Sequence, residues 1–262
     1  MLLDPIAGPG EDPAEGMNQW RGHALVVGCG GIGRALVNEL ALRAPGLSLW
    51  ATNRSGRWPG SAGPLDPQRI LPLDLGDDGS LEALALRLAP LAGSLRLVFN
   101  TAGLLHEDAL QPEKRLQQVR RGSLERLFAV NAFGPILLAR ALEPLLARSE
   151  PVHFASLSAR VGSIGDNRLG GWYAYRGAKA AQNQLLRTLA VEWRRRLPLA
   201  CVSLLHPGTT ATPLSAPFQA SVAPERLFSP ARSAQQLLAV LAAQGPERSG
   251  RFLAWDGSVI PW

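Results

Sequence analysis

The sequence predicts one α/β domain of 262 residues, a doubly wound parallel β-sheet with helices on both faces. Three observations predict it. Short β-rich runs alternate with longer segments whose apolar residues recur at helical spacing. Neither a repeat of roughly 20–50 residues nor an internal linker divides the chain. Turn-forming and ligand-type residues follow successive strand ends, where open parallel sheets bind their ligands. Parallel strands need crossover connections, so this alternation favours a parallel sheet with helices covering it.

In chain order, a strand at 24–27 leads into a helix at 32–42, and strands follow at 47–51, 70–73, 95–99, 152–155, 200–205 and 252–255. A helix at 80–89 opens on Ser80 as a candidate cap, 123–147 and 174–197 are the two long helical patterns, and 230–243 closes the set. Arg194 to Arg196 fall where helix 174–197 ends, a place the helix dipole favours for cations. The Pro- and Ser-rich stretch 212–230 lacks a strong period and is read as a lid.

With 46% hydrophobic and 18% charged residues, the chain has the balance of a folded domain with a sizeable core. Apolar runs such as 24–27 and 136–139 fall far short of the roughly 20 residues a bilayer-spanning helix requires, so no membrane partner is expected. Residues 1–21 are read as a flexible tail ahead of a catalytic domain at 22–262. Asp4, Glu11, Asp12 and Glu15 among Pro and Gly give that tail neither the basic start nor the apolar centre of a secretory signal, so a cytoplasmic setting is expected. The formal charge of +6 comes from 27 basic residues spread along the chain against 21 acidic ones, and no nucleic-acid partner is expected. Cys29 and Cys201 have no metal-ligand spacing and make no disulfide framework, so no metal is expected.

The strand ends carry the chemistry. Gly28, Cys29, Gly31, Ile32 and Gly33 fall in the glycine-rich turn between the first strand and its helix, where glycines let backbone N–H groups approach a pyrophosphate. Asn53 and Arg54 follow the second strand. A carboxylate there would hold the ribose 2′-hydroxyl of NAD, whereas a guanidinium holds the 2′-phosphate of NADP by a forked contact. Arg54 therefore points to NADP, with NAD as the alternative. Asp74, beside Leu75 after the third strand, can accept from an adenine amino group or cap a turn. Asn100, Thr101, Ala102 and Gly103 follow the fourth, and Gly103 permits close approach of a cofactor.

Rarity singles out one more motif. The chain has two tyrosines, Tyr173 and Tyr175, and two lysines, Lys114 and Lys179. On a helix, Tyr175 and Lys179 stand at i and i+4 and share a face. A nearby cation lowers the pKa of an acidic group by roughly 1–3 units, which would make Tyr175 a usable proton donor near neutral pH. His106, His153 and His206 show no metal-ligand spacing and are read as structural.

Together these residues resemble the short-chain dehydrogenase/reductase family over residues 22–262. The resemblance rests on the glycine turn, Asn100-Thr-Ala-Gly103, Asn131 in a long helix, a serine at the fifth strand end, Tyr175-x-x-x-Lys179, and Pro207-Gly208 after the sixth strand. Within the family, segments 157–164 and 170–179 look like the C-factor and sniffer-type carbonyl reductases. The resemblance implies a Rossmann-like fold and an oxidoreductase that interconverts a carbonyl and an alcohol of a small molecule. It gives Tyr175 the acid/base role and Lys179 the nicotinamide ribose. It assigns Asn131 a relay water and Ser158 the substrate oxygen. Pro207, Gly208 and Thr209 would border the nicotinamide, and Thr212 would begin the lid. Trp172, Leu104 and Leu105 are expected in the substrate wall. Family members often pair through the two long helices, so a homodimer or homotetramer is expected.

Two departures stand out. The first glycine, Gly28, comes one residue late, as in a shortened loop with a tighter pyrophosphate pocket. The family's catalytic serine falls at Ala159, three residues before Gly162, with Ser158 just upstream. Consecutive residues on a strand face opposite ways, so Ser158 can serve only from a distorted strand end. That distortion is expected here, with Ser163 in reserve. The same departures motivate an alternative, a non-catalytic dinucleotide-binding regulator or signalling protein on this fold. A methyltransferase would use the glycine turn but leaves Tyr175 and Lys179 without a role.

Overall fold

A computed structural model describes residues 15–58, 63–107 and 109–262, so residues 1–14 of the expected tail lie outside the described residues. The strands are β1 (Gly22–Val27), β2 (Leu47–Asn53), β3 (Ile70–Pro72), β4 (Leu95–Asn100), β5 (Val152–Leu157), β6 (Ala200–His206), β7 (Thr209–Thr210), β8 (Leu227–Phe228) and β9 (Arg251–Ala254). Seven of them form one sheet in the order β3-β2-β1-β4-β5-β6-β9, and β7 and β8 pair separately. Every neighbouring pair in the large sheet is parallel. The order reverses beside β1, whose neighbours are β2 and β4, and this is where a doubly wound sheet opens a crevice at its carboxyl edge.

The helices are α1 (Gly31–Arg43), α2 (Asp78–Leu88), α3 (Arg121–Phe128), α4 (Gly134–Leu142), α5 (Tyr173–Arg196) and α6 (Pro230–Ala242). The two-residue period of a strand sends alternate side chains to opposite faces. Ala24 and Val26 of β1 pack with Leu36 and Leu40 of α1 and Leu237 of α6. Leu25 and Val27 join Leu84 of α2, Leu138 of α4 and Trp193 of α5. Both faces are therefore buried, which is why the central strands read as continuous apolar runs. The ring of Trp193 meets that of Phe154 edge-on at 5.8 Å, anchoring the last turn of α5 to β5.

Three expectations are corrected. The tail is not wholly loose: Glu15–Gln19 forms a 3₁₀ turn, Met17 is buried in the α1 layer, and Trp20 stacks on His153 at 4.9 Å. Two apolar residues thus bring the packed region forward of residue 22. Helix α2 is capped by Asp77, whose carboxylate accepts from Gly79 N, while Ser80 Oγ accepts from Asp74 N instead. The long pattern at 123–147 is a composite in which the π turn Ala129–Phe133 separates α3 from α4. This composite, Arg121–Leu145, is long and apolar enough by composition to cross a membrane, but half of its apolar window is buried and it serves here as a core helix.

Candidate active site

The carboxyl ends of β1 to β6 border one cleft of about 650 Å³. Its floor is the glycine turn. Gly28 has φ +86, and a Cβ there would lie 2.6 Å from Ala102 N, so the turn accommodates only glycine. The turn closes tightly, with Gly30 N donating to Gly28 O at 2.6 Å, and helix α1 begins at the next residue. Arg34 N is the first amide to find a helical acceptor, Gly30 O, so the amides of Gly31, Ile32 and Gly33 face the cleft in the manner of a helix N-terminus. A Cβ at Gly31 would meet the Thr212 methyl at 2.6 Å, which sets the expected lid directly against the turn. Cys29 lines the same floor, with its thiol pushed up to about 12 by burial and therefore unreactive.

At one end of the cleft, Asn53 folds its carbonyl back on Ser55 N and Arg57 N, an Asx turn that presents Arg54 as an exposed cation. Asp74 accepts from Gly76 N at 2.8 Å, so it shapes the turn that carries Leu75 into the cleft. Two residues that sequence motifs did not reveal complete this end. Arg126 grips Glu107 through Nε at 3.2 Å and Nη2 at 2.8 Å. That hydrogen bond holds the Glu107 carboxyl below its usual range, with burial opposing and the charges of Arg126 and Arg54 assisting. Charged residues on a loop and a helix carry no pattern that would predict their meeting.

Asn100, Asn131, Gly208 and Thr209 support the cleft without lining it. Asn100 is fully buried, donates to Ser156 Oγ at 2.9 Å and accepts from Ala102 N at 3.1 Å, which shapes the loop ending at Gly103. Asn131 sits in the π turn. Its Oδ1 accepts from Leu104 N at 2.9 Å and its Nδ2 donates to Leu104 O at 2.7 Å. The side chain therefore ties the β4 loop to the helix. A Cβ at Gly103 would lie 3.3 Å from Asn131 Oδ1 and 3.8 Å from Lys179 Nζ, so this loop is threaded close to both. Gly208 has φ +74 and is pressed against the Phe228 ring, while Pro207 does line the cleft.

At the other end, α5 starts from an unusual turn. Gly170, Gly171 and Trp172 all have positive φ, the last being the one non-glycine residue so placed among the described residues. Glu113 supports it: its backbone carbonyl accepts from Trp172 N at 2.5 Å, and its buried carboxylate accepts from Ala174 N at 3.3 Å, capping the helix. Arg176 also holds the carbonyls of Gly170 and Gly171. Tyr175 is thereby set in the first turn of α5, one turn before Lys179, and both line the cleft. Lys179 Nζ donates to Leu157 O and Gln182 Oε1, each at 2.9 Å, and lies 5.8 Å from the Tyr175 ring centre.

Burial reverses the expected pKa relation. It pulls Lys179 down to about 7 and pushes Tyr175 well above the ordinary phenol value. Desolvation acts against both charged forms, and a lysine that readily loses its proton gives little help to the phenolate.

The strand end is not distorted. Residues Val152 to Leu157 pair with β6 without a register shift, Ser158 N continues the ladder to Leu205 O at 2.8 Å, and Ala159 is extended at φ −145 and ψ 144. Ser158 borders the cleft, yet its hydroxyl donates to Asn183 Oδ1 on α5 at 2.6 Å. Ala159 instead packs in the apolar cluster that contains Tyr175, Leu105 and Trp172. Ser163 accepts from Asp166 N and lies outside the cleft lining. The regular alternation of the strand prevails over the distortion expected at this point.

The family model described as Enoyl-(Acyl carrier protein) reductase matches residues 28–243. The chain belongs to the short-chain dehydrogenase/reductase family. Among its relatives, 1-hydroxy-2-glutathionyl-2-methyl-3-butene dehydrogenase of Rhodococcus sp. (strain AD45) is 34% identical over 197 residues, 72% of this chain and 78% of that protein. C-signal of Myxococcus xanthus is 34% identical over 148 residues, 56% of this chain and 83% of that protein. A short-chain dehydrogenase/reductase of Burkholderia multivorans with bound NADP superposes with a TM-score of 0.75 at 28% identity, covering 93% of this chain and all of that one. The Rossmann-like doubly wound sheet and the family's oxidoreductase character thus agree with the expectations drawn from the strand-end motifs.

Proposed function

We propose that this chain is an NADP-preferring oxidoreductase that interconverts a carbonyl and an alcohol, with Tyr175 moving the oxygen's proton. The observation that carries the reading is the meeting of the glycine turn, Arg54, Lys179 and Tyr175 around one cleft. Its parts fit a dinucleotide. The free amides of Gly31, Ile32 and Gly33 would hold the pyrophosphate, Arg54 the 2′-phosphate, and Lys179 the nicotinamide ribose. The NADP held by the Burkholderia relative supports that cofactor. When bound, the nicotinamide supplies or accepts the hydride. Tyr175 donates its phenolic proton to the substrate oxygen as the carbonyl is reduced; burial keeps the phenol protonated, which suits the donor role. Leu104, Leu105 and Leu214 give the substrate an apolar wall.

A cytoplasmic setting and pairing through the two long helices complete the reading. Phe133 and Val191, exposed by 50% and 48%, supply apolar surface on those helices. The test is NADPH oxidation against a panel of aldehydes and ketones, with Tyr175→Phe as the comparison. Turnover by the parent and its loss in the variant, with NADPH affinity retained, supports the reading. NADPH binding without reduction of any carbonyl favours the second reading, a dinucleotide-binding regulator or signalling protein. The absence of a hydroxyl at Ala159 and the similarity to C-signal speak for that alternative.

A further inference from the structure

Gln182 stands one turn before Leu186 on the buried face of α5 that Leu189, Ala190 and Trp193 continue, a place where helical spacing calls for an apolar residue. It is fully buried nonetheless, and a glutamine is rarely so unless its amide is engaged. All of its side-chain bonds gather beside Lys179. Its Nε2 donates to Ser156 Oγ at 2.8 Å and to Leu157 O at 3.2 Å, and its Oε1 accepts from Lys179 Nζ at 2.9 Å. Turned over, the amide would set its N–H groups against the ammonium and its oxygen against Leu157 O, so these partners fix its orientation.

The amide is itself braced from the sheet. Ser156 Oγ also accepts from Asn100 Nδ2 at 2.9 Å, Asn100 Oδ1 accepts from Ala102 N at 3.1 Å, and both side chains are fully buried. One chain of hydrogen bonds therefore runs from the loop that ends at Gly103, across β4 and β5, to the Lys179 ammonium. That ammonium is 3% exposed, and its two acceptors, Leu157 O and Gln182 Oε1, are neutral. The segments around it bring no opposite charge: Leu157 comes from β5, Gly103 from the β4 loop and Gly162 from the 3₁₀ turn before α5. Tyr175, kept a neutral phenol by burial, is the titratable side chain beside it. Desolvation accordingly pulls the lysine down to about 7. An ammonium has three N–H groups, so the two bonds leave one without a partner among the described residues, on a side chain that lines the cleft.

We propose that Gln182 is a positioning residue for dinucleotide binding: its amide oxygen holds Lys179 as a charged ammonium and leaves the third N–H for the ribose hydroxyls of the cofactor. Gln182 lies outside the cleft lining, so it acts through Lys179 and touches neither cofactor nor substrate. The proposal rests on the assignment of Lys179 to the nicotinamide ribose made above.

The experiment is fluorescence titration of the full chain with NADPH from about pH 5.5 to about pH 9. Parent affinity should fall as the pH rises through the Lys179 value of about 7, because the neutral amine has lost the charge that faces the cofactor. Gln182→Met keeps length and burial and removes the acceptor. Its midpoint should lie about one pH unit lower, the effect of one lost hydrogen bond to a charged group, so binding weakens by up to about tenfold near pH 8 and little near pH 5.5. Gln182→Glu sets a carboxylate against the ammonium and should move the midpoint above the parent's. A packing defect at 182 would weaken binding alike at every pH and would not send the two variants in opposite directions. Should either variant fail to fold by urea titration, Ser156→Ala loosens the same brace from β5 and should lower the midpoint by a smaller step. Midpoints that stay at the parent's value, variants at 182 that move together, or a parent affinity that does not change with pH overturn this inference alone. A parent that binds no NADPH, or a Lys179→Ala variant with the parent's affinity and pH dependence, overturns the functional reading beneath it.

Discussion

Arg54 tests the cofactor end of the cleft most directly. It stands exposed at the end of β2, and the nearby Glu107 carboxylate is already gripped by Arg126 through two hydrogen bonds. Of the two arginines that line the cleft among the described residues, Arg54 is thus the one left to meet a 2′-phosphate. A charge-assisted hydrogen bond contributes about 1.5–3 kcal/mol, and solvent around an exposed guanidinium places this one near the lower limit. About 1.5 kcal/mol is roughly a tenfold ratio in Kd. Fluorescence titration of NADPH and NADH should therefore show the parent preferring NADPH by roughly tenfold. Arg54→Ala should bring the ratio close to one by weakening NADPH while leaving NADH unmoved. Raised salt should narrow the parent's preference, because an exposed ionic contact is screened. Equal affinities in the parent, or an unchanged ratio in Arg54→Ala, would refute the assignment.

Three further outcomes follow from particular contacts. Glu107→Gln should raise NADPH affinity by a few-fold in the same titration, since it removes a negative charge facing Arg54 and releases the Arg126 guanidinium. Ser158→Ala should leave kcat within about threefold of the parent while lowering stability to urea by about 1 kcal/mol, because its hydroxyl bonds Asn183 inside the protein; a large kcat loss at parent-like stability would return Ser158 to the reacting centre. His153 is buried and held down to about 4, against an ordinary value of 6.5, first by desolvation and then by Arg96. The unfolded chain therefore binds the extra proton between pH 6.5 and 4, and stability falls as the pH drops through that window. Between pH 7 and 5 this amounts to about 2 kcal/mol, so His153→Phe, which keeps a ring against Trp20, should flatten the urea-measured decline by about that much. Identical slopes in parent and variant would show that His153 does not titrate in this way.

Much of the sheet was legible because its signals are local. A buried parallel strand reads as a short apolar run, and all seven strands of the large sheet lie where such runs were found, with ends moved by one or two residues. The glycine turn was legible for the same reason, since Gly28 with φ +86 and the amides of Gly31 to Gly33 are properties of six consecutive residues. Long-range features were not. The Glu107–Arg126 pair joins a loop to a helix 19 residues away, and Glu113 caps α5 from 61 residues upstream. The π turn was equally hidden, because widening a helix by one residue leaves the apolar spacing of 123–147 nearly intact while it turns Asn131 toward Leu104.

The serine position shows how two sound rules can compete. Family pattern asked for a hydroxyl near Tyr175, and distortion of the strand end was the one way for Ser158 to provide it. Strand periodicity made a different demand, because Ser156 and Ser158 share a face, and that face is where α5 presents Gln182 and Asn183. Both serines find partners there: Gln182 Nε2 donates to Ser156 Oγ at 2.8 Å, and Ser158 Oγ donates to Asn183 Oδ1 at 2.6 Å. Turning Ser158 toward Tyr175 would leave Asn183 with neither end of its amide satisfied, since its Nδ2 already lacks a partner among the described residues. A buried polar group stripped of its bond is destabilising by about 1–3 kcal/mol, more than a neutral hydrogen bond to a substrate contributes. The strand therefore keeps its register, and Ala159 keeps its place in the apolar cluster that contains Tyr175.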